Sequence, residues 1–118
     1  MSGCLQIMLA ASPASITITS NWGTTGPGAS PQTSGSRTLT VPGGSGTIRF
    51  DITSTPSGSF EYQLNVGAFT TITDLGTLAV ANGDTLRFRL TGVSDAGTVV
   101  IYDNTTNVQV GTSTIITT

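Results

Sequence analysis

From residue 37 onward, apolar and polar side chains alternate in short runs. Ile48, Phe50 and Ile52 share one side of their run, and Arg49 and Asp51 share the other. Phe60, Tyr62 and Leu64 oppose Glu61, Gln63 and Asn65, and Leu86, Phe88 and Leu90 oppose Arg87 and Arg89. Alternation at period two is the signature of a strand with one covered face and one wet face. Each run stops at residues that suit reversals: Pro42 to Gly46, Ser54 to Gly58, Val66 to Ala68, Asn82-Gly83 and Asp103 to Asn107. The pattern predicts strands at 37–41, 47–52, 59–65, 69–72, 76–80, 84–90, 98–102 and 108–116. Strands of this length, each with one apolar face and separated by regular turns, predict an all-β protein built as an antiparallel two-sheet sandwich.

Before residue 37 the alternation fails. Ile16 to Thr19 reads as one short strand, and residues 20–36, with Pro27, Pro31 and four glycines, read as loop. The expected organisation is an N-terminal extension over 1–36, made of an arm or strand and a Gly/Pro-rich loop, followed by a sandwich over 37–118. The first dozen residues carry Leu5, Ile7, Met8 and Leu9, without the positively charged flank of a secretion signal and without the length of a membrane span. Side chains this apolar are expected to be covered, by this domain or by a neighbour. Leu5, Ile7, Met8, Leu9 and Trp22 are therefore the candidate partner-binding residues. Trp22, at the edge of the Gly-rich loop, could cap the core, fit a partner's pocket or stack on a sugar.

Composition narrows the chemistry. Thr, Ser and Gly make up 51 of 118 residues (23, 13 and 15), with one Glu, no Lys and no His. The formal charge is −2 with four arginines, which gives no basic face for nucleic acid and no polybasic patch for a membrane surface. Without histidine the commonest general base and transition-metal ligand are missing, and Cys4 alone makes neither a disulfide nor a thiolate zinc site. Asp51 and Glu61 fall on polar strand faces, while Asp74, Asp84, Asp95 and Asp103 fall at turns, where a carboxylate accepts bonds from nearby amides. A carboxylate pair or a calcium site is the weaker reading of these acids. Gly43 to Gly46 has neither the helix nor the Lys of a phosphate cradle, and it lacks the Gly-x-Ser-x-Gly of a nucleophile elbow. The expectation is a protein that is not an enzyme, with no catalytic residue, cofactor or metal.

Arg37 to Pro42, Phe60 to Phe69, Val80 to Leu90 and Val100 to Thr106, read in order, resemble small Ig-like modules of tailed-bacteriophage virion proteins. The resemblance covers about two thirds of the chain, and its common ground is hairpin chemistry, with Gly67 and Gly83 expected where strands reverse. It implies an Ig-like sandwich; this chain departs from antibody-type Ig domains in lacking the inter-sheet cysteine pair and a core tryptophan between them. It also implies a structural virion protein, assembled in the host cytoplasm, that decorates a capsid or extends a tail by non-covalent binding. The expected partner is the major capsid or tail protein of the same virion, with a homo-oligomer as a further expectation. The alternative is a receptor- or glycan-binding module of a tail fibre or surface adhesin, using loop groups such as Asn82, Asp84, Asp103 and Asn104.

Overall fold

The computed structural model describes residues 14–118, which form eleven strands and, among the described residues, no helix. They are β1 (Thr17–Ile18), β2 (Gly23–Gly28), β3 (Gln32–Thr33), β4 (Arg37–Thr40), β5 (Ser45–Ser54), β6 (Phe60–Leu64), β7 (Thr70–Thr71), β8 (Thr77–Ala81), β9 (Thr85–Leu90), β10 (Ala96–Asp103) and β11 (Gln109–Thr117). One sheet runs β1-β4-β9-β6-β7, with β3 also on β9, and the other runs β2-β11-β10-β5-β8. The two pack as a sandwich. Leu39, Ile48, Leu86, Phe88, Leu90, Val99, Ile101 and Ile115 between them are fully buried. The facing predicted for β5, β6 and β9 holds: Phe50 and Phe60 join this core, with Ile52, Tyr62 and Leu64 packed against it.

Residues 20–36 are not the loop that their glycines and prolines suggest. β2 pairs with β11 over Ser113↔Gly23 to Thr117↔Gly28, in parallel, so the sandwich is antiparallel with one exception. β3 and β4 lie along the same edge of β9. Gln32↔Leu90 and Arg37↔Leu86 differ by one residue in register, so Ser34 to Ser36 form a bulge between them. At that bulge the Ser34 amide donates to the Phe88 carbonyl (2.8 Å), and the Phe88 amide donates to Ser34 Oγ (2.9 Å). A side chain thus supplies the acceptor that the interrupted ladder lacks, which explains why a serine is buried there.

The boundary expected at residue 36 is therefore no seam. The chain enters the first sheet as β1, crosses to the second as β2 and returns as β3, lacing the two layers together. Of the two glycines expected to free the reversals, Gly83 does so at φ 89°. In the β6–β7 turn the left-handed residue is Asn65, at φ 55°, rather than Gly67.

Candidate functional site

Trp22 is a core residue, which corrects its reading as a docking anchor. Its side chain is 5% exposed, and its Nε1–H donates to the Leu86 carbonyl at 2.9 Å. It meets Phe88 edge-on, with ring centroids 5.2 Å apart. The indole lies so close to β11 that a Cβ at Gly111 would fall 2.8 Å from it, so that strand position has room for glycine alone. A ring held from three sides inside its own chain has no face left for a sugar or a partner's pocket. The sandwich does have a core tryptophan, supplied from outside the region where an antibody domain carries it. Leu5, Ile7, Met8 and Leu9 lie outside the described residues.

A concave surface lies at the end of the sandwich where the described chain begins. Ala14, Ile16, Val41, Pro42, Gly46 and Asp103 border a cleft of about 130 Å³. Asp103, at the end of β10, is 4% exposed and acts as a latch across it. Its Oδ2 accepts the Ile16 amide at 2.9 Å, and its Oδ1 accepts the Thr105 and Thr106 amides at 2.9 and 3.2 Å. Burial alone would push this carboxyl's pKa up. The three amides and the Thr106 hydroxyl outweigh that and hold it below the usual carboxylate range. A hydroxyl contact between Ser15 and Thr106 (2.7 Å) ties down the same entry point.

The other turn acids are also spent on backbone. Asp84 accepts the Ala81 amide and the Asn65 side-chain amide, and the Asn65 bond, followed by Ala81, lowers its pKa. Asp95 accepts the amides of Ser57, Gly58 and Ala96, joining the β5–β6 and β9–β10 loops, and Gly58 contributes most to a lowered pKa there. Asp74 accepts the Ile52 amide. Asp51 and Glu61 sit on different sheets, paired with Arg49 (3.0 Å) and Arg89 (2.7 Å), which separates the two acids that fell on strands. Among the described residues no three His, Cys, Asp or Glu side chains converge as metal ligands do.

The loop residues considered for glycan binding divide the same way. Asn82 Oδ1 accepts the Val41 amide at 2.9 Å, and Asp84 and Asp103 are committed as above. Asn104 is exposed, with its backbone amide on the Thr47 carbonyl. On the outer face of the first sheet Phe69 lies under Arg89, 3.8 Å from guanidinium to ring centroid, with Arg87 at 5.4 Å. Gln63 and Glu61 hold those two arginines by their Nε edges. The residue pattern alone does not mark this cluster, because Phe69 reads as an ordinary strand residue until β7 folds it over β9. No family model, curated protein or solved structure matches the chain.

Proposed function

We propose that the protein is a structural subunit of a tailed-bacteriophage particle, a decoration protein held non-covalently on a capsid or tail surface. Leu5, Ile7, Met8 and Leu9 are its anchoring side chains, and the major capsid or tail protein is its partner. The observation that carries this reading is how the described fold uses its polar groups. Its buried and turn carboxylates all bind backbone amides or arginines, an economy suited to a rigid module and not to proton transfer or metal chemistry. The entry point supports it too. Ile16 is latched to Asp103 beside an open cleft at one end of the sandwich, a fixed point for an anchoring segment. A surface poor in charge also has little to desolvate when it docks.

The test is incorporation. A chain lacking residues 2–12, or carrying Ser at Leu5, Ile7, Met8 and Leu9, is produced alongside the particle proteins, and purified particles are assayed for it. Folded variants that no longer co-purify with particles are the expected result. Normal incorporation of both variants contradicts the anchor assignment, and absence of the unaltered chain from particles contradicts the reading itself.

A further inference from the structure

The four sheet edges are not equally protected. β1 and β7 have two residues each, too short to template a further strand. β2 is interrupted by Pro27 and three glycines, and Pro27 has no amide to offer. β8 is different. Thr77 to Ala81 is a five-residue edge strand without proline, charge or internal bulge, paired with β5 from Arg49↔Thr77 to Ser45↔Ala81.

The register says which of its backbone groups point outward. Phe50 donates to the Gly76 carbonyl, and Asn82 donates to the Gly44 carbonyl. In an antiparallel ladder bonded pairs alternate, so Leu78 and Val80 are also bonded to β5, while Thr77, Ala79 and Ala81 turn their amides and carbonyls away. Ala81 is already served: its amide goes to Asp84 Oδ2 at 2.8 Å, and its carbonyl takes the Asp84 amide at 3.1 Å. The amides and carbonyls of Thr77 and Ala79 have no acceptor or donor among the described residues.

We infer that this edge pairs with β8 of a second copy, antiparallel about a twofold axis at Leu78, joining two five-stranded sheets into one. The inference does not rest on the particle reading. The fit is self-complementary. With Leu78 opposite Leu78 of the partner subunit, Thr77 meets Ala79 of the partner subunit as a bonded pair, and the symmetric pair follows. All four open groups on each copy are then used, and Asp84 ends the ladder at the position where a fifth would begin. Half-buried Leu78 faces its counterpart on the core side, while the small side chains of Thr77 and Ala79 leave the outer side unobstructed.

Sedimentation and amide hydrogen exchange on the full chain test it. The expected result is a species of twice the chain mass that grows from micromolar to millimolar concentration, with the Thr77 and Ala79 amides slowing in step. Ala79→Pro removes one of those amides and no bond to β5, so dimerisation should weaken by about tenfold or more at unchanged melting. Ala79→Lys, which places like charges beside the axis, should act in the same direction if the proline variant fails to fold. A chain that stays monomeric with fast Thr77 and Ala79 amides overturns the inference. So does a dimer indifferent to Ala79→Lys, and so does protection that appears only when another protein's strand is added.

Discussion

Residues 37–118 and residues 14–36 contribute to one core by different means. In the larger region, burial follows alternation: β5, β9 and β10 each turn every second side chain inward, and backbone ladders hold them in register. In the smaller region β1 and β3 have two residues each and β2 holds three glycines and Pro27, and side chains supplement their ladders. Ser34 Oγ completes the β9 ladder, Asn21 Oδ1 accepts the Thr112 amide, Ser30 Oγ donates to Thr91, and Trp22 Nε1 donates to Leu86. The difference teaches that a segment of poor strand propensity becomes sheet once distant residues satisfy its backbone, because tertiary partners override propensity. It also makes the smaller region dependent on single side chains, which is where it can be broken.

The largest expected effects put the two regions on an equal footing. Phe88→Ala, at the centre of the larger region, and Trp22→Ala, in the smaller, should each cost ~3–5 kcal/mol, a large share of a small domain's stability. Chemical denaturation of both variants checks this. A Trp22→Ala loss below about 1 kcal/mol would return Trp22 to the surface and dissolve the comparison. Next comes Ser34→Ala, which leaves the Phe88 amide buried without its acceptor and should cost ~1–3 kcal/mol. Equal stability of that variant and the parent would mean that the bulge holds itself.

The latch sharpens the comparison by pH. Asp103 has its pKa lowered in the folded protein, so its contribution is complete above the unfolded value of about 3.9 and is lost as pH falls through the lower folded one. Asp84 and Asp95 act in the same sense. Asp103→Asn should be less stable near neutral pH and show a shallower decline in acid, measured as the urea midpoint against pH. An unchanged acid slope would take Asp103 out of the account. The smallest effect belongs to the outer face of the first sheet. Arg87→Ala should cost well under ~1 kcal/mol, since its bonds to Gln63 and Phe69 lie on the outer, half-exposed face of the sheet and not in the core. A loss as large as that of Phe88→Ala would overturn the facing of β9.

How much of this was legible in the sequence follows the same division. The sandwich and the facing of β5, β6 and β9 could be read from Phe50, Phe60, Leu86 and Phe88, because period-two alternation is a local property. β2, β3 and the burial of Trp22 could not, because Gly23, Pro27 and Ser34 take their structure from Leu86, Phe88 and β11, 50 or more residues away in the chain. The turn aspartates were legible in kind, as amide acceptors, but which loops they join was not. Asp103 reaching Ile16 across 87 positions has no local signature.

Residues 14–36 lace the two sheets together, and the anchor role proposed for Leu5, Ile7, Met8 and Leu9 requires that this fold stand without residues 2–12. Thermal unfolding of two truncated chains tests it most directly, one lacking residues 2–12 and one lacking residues 2–22. The first should melt cooperatively within a few degrees of the full chain. The second, deprived of Ile16, Trp22 and the partner of Asp103, should show no cooperative transition. Loss of folding in the first chain would make Leu5, Ile7, Met8 and Leu9 part of the core and end the anchor assignment. A second chain that melts like the parent would contradict the role of residues 14–36 in lacing the two sheets together.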